Sequence, residues 1–349
     1  ARVDYDGTAS SLLVEPQRTN LITYSEDFSE WTTEGNIEVT DNSIISPDGV
    51  QNAAKLQLTG SSSGTDGKIG FSVSPSATTH TFSLFAKKGN HDYIYIWMSI
   101  VGGVNITRWI NLDDGSINEG GGTATVTTTS FSNDWWKIEY TFDATDLSSI
   151  KLEVADDGAS TGTGGDNIYV WGAQLEESSF PTSYIPTDGS TVTRVQDQYS
   201  KTGISNLINS EEGVLFVEMA ALSDDSTNRM LSLYSSGNDK LTLFYKTASN
   251  SMTVQGFVGG GLQINRTIVL TDITEFSKIA IRYKTNDFAW YVDGIKITDD
   301  TSTNTWSADT LNKLSFDDGA GGNPLFAKVK QLQVFKTALT DTELATLTT

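Results

Sequence analysis

Five aromatic side chains have the type and spacing expected of a surface that binds flat, partly apolar ligands: Tyr93, Tyr95, Trp97, Trp109 and Trp135. The first three alternate with aliphatic residues in the stretch YIYIWMSI. Because alternate side chains of a strand lie on opposite faces, these three rings are expected to share one face. Aromatic rings stack on the apolar C–H face of a pyranose, so the row is a candidate saccharide platform. The alternative is that both faces of the strand are covered and the rings belong to a core.

Two oxygen-rich loops are candidate cation sites. The first contains Asp156, Asp157 and Asp166, and the second contains Asp317, Asp318 and Asn323. Calcium is bound by carboxylate and carbonyl oxygens from flexible loops, so Ca²⁺ is the one cofactor that the sequence suggests. Asp, Asn and Gly are also the ordinary residues of turns, and no EF-hand spacing is present. Both interpretations remain open at the level of the sequence.

No catalytic constellation is recognisable. The two histidines, His80 and His91, lack a spaced metal-binding motif, and there is neither a G-x-S-x-G elbow nor a P-loop. In the strands of the second half, Glu218 has no nearby carboxylate partner of the kind that glycoside cleavage needs. Carboxylates from distant segments could still meet in space. The residues therefore predict a non-enzymatic protein.

The composition excludes several classes of function. The chain has 349 residues, no cysteine and a formal net charge of −21 at pH 7. Without cysteine there are no disulfides, no thiolate zinc ligands and no cysteine nucleophile. Such a surface would be repelled by phosphates and anionic headgroups, so we predict neither nucleic-acid binding nor membrane insertion. No apolar run reaches the roughly 18 residues of a membrane helix, and no signal peptide is recognisable.

Short alternating strands separated by Gly- and Ser-rich breaks fill the whole chain. This pattern predicts an all-β protein of two tandem antiparallel β-sandwiches of the jelly-roll type. Asp293-Gly294 predicts a tight hairpin, since both residues accept a positive φ. Thr340 followed by Glu343 predicts the capped start of a short C-terminal helix.

The stretch Asn167–Thr187 sets the predicted division of the chain. It begins as a strand and continues into a segment with Pro181 and Pro186, which cannot pair as an inner strand. We interpret it as the closing strand of the first domain followed by an ordered connector. The predicted boundaries are an N-terminal segment at 1–19, a first sandwich at 20–190, a linker at 191–202 and a second sandwich at 203–349.

The first domain resembles the carbohydrate-binding modules of the four/nine/twenty-two type. The matching text is Asn20-Leu21-Ile22 with Phe28 and Trp31, then TFSLFAK (81–87), WKIEYTF (136–142) and IYVWGAQL (168–175). This resemblance implies that Trp136 lies in the core, so the adjacent Trp135 is expected on the other face and exposed. The family's closing strand usually carries an acidic pair that helps to hold calcium. Trp171-Gly172 stands there instead.

The second domain resembles a concanavalin A-like or laminin-G-like sandwich, on WYVDG (290–294), the strand Val329–Phe335 and LTDTEL (339–344). The joined text LLVEPQRTNLITYSEDFSEW, WGAQLEESSFPTSYIPTDGSTVTR and EEGVLFVE resembles a module pair in tail and other virion-surface proteins of tailed bacteriophages. The resemblance implies a virion-surface adhesion protein, oligomeric and in contact with other virion proteins, that binds host-surface polysaccharide. Two alternatives remain: an accessory carbohydrate-binding region of a polysaccharide-degrading enzyme, and a purely structural virion joint.

Overall fold

The chain forms two compact units. The computed structural model describes residues 2–6, 9–63, 67–159 and 161–349. The unit Gln17–Val195 is called the first sandwich here. The second sandwich is built from Ala1–Pro16 together with Gln196–Thr349.

Antiparallel strands dominate both units, which confirms the predicted fold class. Residues 2–195 contain β1 (Arg2–Asp6), β2 (Ala9–Val14), β3 (Arg18–Asn20), β4 (Thr32–Glu34), β5 (Ile37–Ile45), β6 (Gln51–Leu58), β7 (Ser62–Ser63), β8 (Lys68–Ser72), β9 (Thr79–Lys88), β10 (Tyr93–Ile100), β11 (Ile106–Asn111), β12 (Ile117–Glu119), β13 (Thr125–Phe131), β14 (Trp135–Asp143), β15 (Leu147–Val154), β16 (Thr161–Gly162), β17 (Asn167–Glu176) and β18 (Val192–Arg194). Residues 196–349 contain β19 (Ser200–Thr202), β20 (Glu212–Ala221), β21 (Arg229–Ser236), β22 (Asp239–Tyr245), β23 (Ser251–Val258), β24 (Gly261–Val269), β25 (Ser277–Lys284), β26 (Phe288–Val292), β27 (Ile295–Asp300), β28 (Lys313–Ser315), β29 (Ala327–Phe335) and helix α1 (Asp341–Leu347).

The first sandwich packs two six-stranded sheets around one apolar core. The front sheet has the order β12-β11-β10-β15-β8-β4, and the back sheet has the order β13-β14-β9-β17-β6-β5. Ile94, Ile96 and Met98 of β10 face inward from the front sheet and are fully buried, as are Phe82 and Leu84 of β9 in the back sheet. The two-residue period of each strand therefore leaves a second, outward face on both sheets.

A buried polar network fixes the connector onto the closing strand β17. The Glu176 carboxylate is fully buried and accepts hydrogen bonds from the Thr182 amide at 2.9 Å and from Gln174 Nε2 at 2.8 Å. The Gln174 Oε1 accepts from the Ile185 amide at 2.7 Å. Burial raises the pKa of Glu176, while the hydrogen bonds from Thr182 and Gln174 oppose that rise. The Pro-containing segment therefore folds back along the sheet.

The start of the first sandwich enters the same network through Asn20. Its Nδ2 donates to the carbonyls of Ala173 and Ile185, and its Oδ1 accepts from the amides of Ile22 and Leu175. A β-bulge interrupts β17 between Trp171 and Gln174. Gly172 has a φ of +68° there, which explains why glycine occupies that position.

The second sandwich includes the N-terminal strands. Its sheets have the orders β1-β2-β29-β20-β25-β26-β27 and β19-β28-β21-β22-β23-β24. Strand β2 pairs with β29, placing Leu12 opposite Val329 and Val14 opposite Ala327. The expected N-terminal segment at 1–19 is thus divided between the two units. The expected linker at 191–202 also contains strands, since β18 pairs with β3 and β19 pairs with β28.

Two local signals of the sequence have the predicted structure. Asp293 and Gly294 have φ values of +48° and +79° in the hairpin between β26 and β27. Helix α1 begins with a complete capping box, in which Thr340 and Glu343 exchange side-chain-to-backbone hydrogen bonds. Leu344 of α1 is fully buried among apolar residues of the second sandwich. In the described part of the chain, no helix has the length and apolarity that crossing a membrane would require.

Replacing Glu176 with Ala is expected to destabilise the first sandwich by about 3 kcal/mol, because buried donors of Thr182 and Gln174 lose their acceptor. Urea denaturation of the full chain measures the change. Glu177→Ala is the matched control, since Glu177 is exposed on the neighbouring position. Equal stability of the two variants would contradict a structural role for the buried carboxylate.

Deleting residues 1–16 is expected to loosen β29, because β2 no longer covers its edge. We expect amides at the start of β29 to exchange with solvent at least about tenfold faster, which corresponds to about 1.4 kcal/mol of local stability. Hydrogen-exchange mass spectrometry measures this, with β9 of the first sandwich as the internal control. Unchanged exchange in β29 would show that the pairing does not exist in solution.

Candidate functional site

The outward face of the front sheet gathers four of the five candidate aromatics. Tyr93, Tyr95 and Trp97 alternate with the buried aliphatic residues of β10, and the register places Trp109 of β11 directly opposite Tyr95. We call this set of four residues the aromatic row. Strand alternation thus produces one continuous face from two neighbouring strands.

Burial divides the aromatic row into a support and a contact surface. Tyr95 is only 7% exposed, and its ring stacks on Trp109 with centroids 4.4 Å apart. Burial raises the pKa of the Tyr95 hydroxyl. Tyr93, Trp97 and Trp109 are half-buried and keep part of their surface open. Tyr95 therefore supports Trp109, and the other three residues remain as contact candidates.

Charged side chains surround Trp97. The Lys68 ammonium lies 4.7 Å from the Trp97 ring centroid and 4.0 Å from a Glu153 oxygen, and both charged side chains are almost fully buried. On the same face, Lys151 lies 5.9 Å from the Trp97 ring centroid and pairs with Glu34 at 2.7 Å. The lysines stabilise the ring position by cation–π attraction.

These four charged residues were not among the sequence candidates. Lys68 and Lys151 occupy outward positions of the alternating strands β8 and β15, and this alternation was the available signal. Their proximity to Trp97 depends on the order of β10, β15 and β8 in the sheet. That order is a property of the tertiary structure.

Polar groups border the other end of the aromatic row. The Trp109 indole N–H donates to the Ala159 carbonyl at 3.2 Å, which holds the loop after β15 beside the ring. The Tyr93 hydroxyl accepts from Asn111 at 3.2 Å. Asn118 of β12, which lies opposite Trp109, donates to the Asp157 carboxylate. The row can therefore combine ring stacking with hydrogen bonds to a polyhydroxylated ligand.

The first Asp-rich loop is organised by local hydrogen bonds. Asp156 accepts from the Thr161 hydroxyl at 2.8 Å, and Asp166 accepts from the Thr163 amide at 2.7 Å. His91 lies between them, with its ring nitrogens 3.6 Å from Asp156 and 3.5 Å from Asp166. Nε2 of His91 also donates to the Ala155 carbonyl at 2.8 Å. Asp157 instead lies beside Asn118.

The second Asp-rich loop is also organised by local hydrogen bonds. Asp317 accepts from the Gly319 amide at 2.6 Å, and Asp318 accepts from the amides of Ala320 and Gly322. Asn323 has a φ of +51° and its carbonyl accepts from the Met230 amide. Across the described residues, no three acidic or histidine side chains converge as a metal site. In both loops the aspartates accept hydrogen bonds from nearby residues, as Asp commonly does in turns.

Trp135 is not an exposed residue, contrary to the prediction. It does lie on the opposite face from Trp136, but it is only 1% exposed. The outward face of the back sheet is covered there by an aromatic cluster of Phe85, Trp135 and Trp171, on which Tyr184 of the connector packs. Trp171 and Tyr184 have ring centroids 4.5 Å apart. The connector thus converts an outward face into a second small core.

A cavity of about 650 Å³ in the first sandwich is lined by Glu26, Asp27, Asp41 and Asp188 among others. Asp41 accepts from the amides of Phe28 and Ser29 at the start of a short 3₁₀ turn. Burial raises the pKa of Asp41, and the neighbouring Asp27 adds to the rise. Glu26 accepts from Tyr184 and Asn52. Asp41 and Glu26 are thus engaged in holding the surrounding chain.

No protein-family model and no curated protein matches the chain. Among solved structures, it is similar to the Ruminococcus gnavus IT-sialidase CBM40 bound to α2,3-sialyllactose, with 14% identity, a TM-score of 0.35 and coverage of 44% of this chain and 97% of that chain. It is also similar to the heptameric SAP-like pentraxin from Limulus polyphemus, with 12% identity, a TM-score of 0.29 and coverage of 41% and 72%. A third similar structure is that of mouse laminin α1 domains LG4–5, with 9% identity, a TM-score of 0.28 and coverage of 97% of this chain and 95% of that chain.

These similarities concern the β-sandwich fold alone. They include a carbohydrate-binding module and laminin-G domains, both of which are β-sandwiches. None of these three structures is a bacteriophage protein. Because the TM-scores are low, these similarities do not indicate a ligand for this chain.

Replacing Trp135 with Ala is expected to destabilise the first sandwich by about 4 kcal/mol, because a buried indole leaves a cavity in the aromatic cluster. Thermal or urea denaturation measures the change. Thr129→Ala on the neighbouring edge strand β13 is the control and is expected to change stability by less than about 0.5 kcal/mol. A Trp135→Ala protein as stable as the control would contradict the buried position.

Proposed function

We propose that the chain is a non-enzymatic adhesion protein that binds carbohydrate on the aromatic row. The observation that carries this proposal is the half-buried state of Trp97, Trp109 and Tyr93 on one outward sheet face. Half-buried rings are fixed in position yet keep surface for a ligand, so little freedom is lost on binding.

The groups around the row suit a saccharide. A pyranose offers C–H groups that pack on Trp97 and Trp109, and hydroxyls that both donate and accept hydrogen bonds. Lys151 and Glu34 form an ion pair at one end of the face, and Asn118 and Asp157 lie at the other end. Donors and acceptors on both sides of the rings favour a ligand of at least two sugar units.

The same groups support binding and not catalysis. Glu34 is paired with Lys151, and the buried Glu153 lies beside Lys68. Both carboxylates are thus engaged by lysines of the same face, which favours a binding surface over a pair of catalytic carboxyl groups.

The setting that we propose is the surface of a tailed-bacteriophage virion. It is supported by the sequence resemblance of the three joined segments between Leu12 and Glu218. There the chain would act as a homo-oligomer, held by other virion proteins, and contact host polysaccharide from outside the cell. Several weak sites on one particle bind a surface far more strongly than one site does.

Replacing Trp97 with Ala is expected to weaken saccharide binding by at least about tenfold, since truncating a central aromatic contact typically costs more than about 1.4 kcal/mol. A glycan array identifies a ligand for the full chain, and calorimetry with that ligand compares the variants. Val50→Ala is the matched control, because Val50 is 58% exposed in the hairpin between β5 and β6.

Trp109→Ala serves as a second variant, since it leaves the Lys68–Trp97 contact untouched. Equal binding by both tryptophan variants and the Val50→Ala control would overturn the assignment of the row. Absence of any bound glycan, with the protein folded, would overturn the proposed function itself.

A further inference from the structure

The first sandwich contains a second cavity, and no residue of the aromatic row lines it. It has a volume of about 510 Å³, within the range of roughly 300–1,000 Å³ that is typical of small-ligand sites. It lies where β9 ends, where β11 turns towards β12 and where β13 turns into β14. Its lining includes Phe131, Trp136, Lys87, Lys88, Asp113 and Asp134.

The apolar part of this cavity is an aromatic ring that the fold leaves open. Phe131, the last residue of edge strand β13, is 45% exposed. The ring packs on Phe85 at a centroid distance of 5.3 Å in a T-shaped arrangement. The ring is therefore held against the sandwich while nearly half of the residue remains open to a stacking ligand.

The walls of the cavity are held by hydrogen bonds and close packing. The Trp136 indole N–H donates to the Leu112 carbonyl at 2.9 Å. The turn that follows Asp113 packs so closely that a Cβ on Gly115 would lie 2.3 Å from the Trp136 ring, and Gly115 has a φ of +73°. On the opposite wall, Lys87 Nζ donates to the Asn133 carbonyl at 2.6 Å. The turn after Asp113 and the turn at Asn133 are thus positioned before any ligand arrives.

The charged side chains that line the cavity are held in ion pairs. Lys88 Nζ lies 2.7 Å from an Asp113 oxygen and 2.6 Å from an Asp92 oxygen, and Lys87 Nζ lies 3.7 Å from an Asp134 oxygen. Two lysines and two aspartates line the cavity, and Asp92 adds one negative charge beside Lys88. No excess of positive charge is present to attract an anion, which favours a neutral ligand.

The Lys88 ammonium is occupied by both Asp113 oxygens and by Asp92. Lys87 donates to the Asn133 carbonyl and lies farther from Asp134, so this second pair can take a vicinal diol, in which one hydroxyl accepts from the lysine and its neighbour donates to the aspartate.

From these observations we propose a second saccharide site in this cavity, which takes one neutral pyranose unit. The C–H face of the sugar stacks on Phe131, and a vicinal diol bonds to the Lys87–Asp134 pair. Trp136 closes the inner side. The site goes beyond the proposed function, because it shares no residue with the aromatic row and would bind a sugar whether or not the row does.

The test follows the indole signals of the full chain labelled with ¹⁵N-tryptophan, with the Trp136 signal assigned from the spectrum of Trp136→Phe. The probes are neutral methyl pyranosides and N-acetylhexosaminides, titrated to tens of millimolar, since a single stacked sugar binds with roughly millimolar affinity. We expect a saturable shift of the Trp136 signal for at least one probe.

Phe131→Ala is expected to weaken this binding about fivefold or more, whereas Phe131→Tyr keeps the stacking face and the affinity. Val50→Ala and Trp97→Ala are expected to leave it unchanged, which separates this site from the aromatic row. The proposal is overturned if no neutral probe gives a saturable shift, if Phe131→Ala binds as well as the unchanged protein, or if only charged sugars bind.

Discussion

The first sandwich depends on a buried carboxylate that has to be satisfied by its own neighbours. Glu176 at the end of β17 is fully buried, and an uncompensated buried acid would be strongly destabilising. The Thr182 amide and the Gln174 side chain supply the compensation, and they do so only when the connector folds back along the sheet. Asn20 then joins the beginning of the sandwich to the same place. A few polar contacts thus define where the sandwich starts and where it ends.

This arrangement decides which sheet face is open. The connector places Tyr184 on Trp171 and covers the outward face of the back sheet. On the front sheet, the outward rings of Trp97 and Trp109 are half-buried, and lysines lie over Trp97. Two sheets with the same alternation thus differ in their outward faces, since one is covered by the connector and the other keeps partly open rings.

The sequence was informative where the deciding forces are local. Alternation predicted that Tyr93, Tyr95 and Trp97 share a face, since the two-residue period is a property of any strand. Asp293-Gly294 and the Thr340–Glu343 box also required only near neighbours. Strands β13 and β24 carry a weaker local signal, because they lie at sheet edges and bury few side chains.

The chain by itself determined the fold class, the faces of its strands and the residue types available for stacking and hydrogen bonding. Only the tertiary structure decided which aromatics are covered, as Trp135 and Tyr95 are, and which keep open surface, as Trp97 and Phe131 do. It also decided that β2 completes the second sandwich by pairing with β29, more than 300 residues along the chain. The physical reason is the same in each case. Periodicity fixes the direction of a side chain, whereas burial depends on which distant segment packs against it.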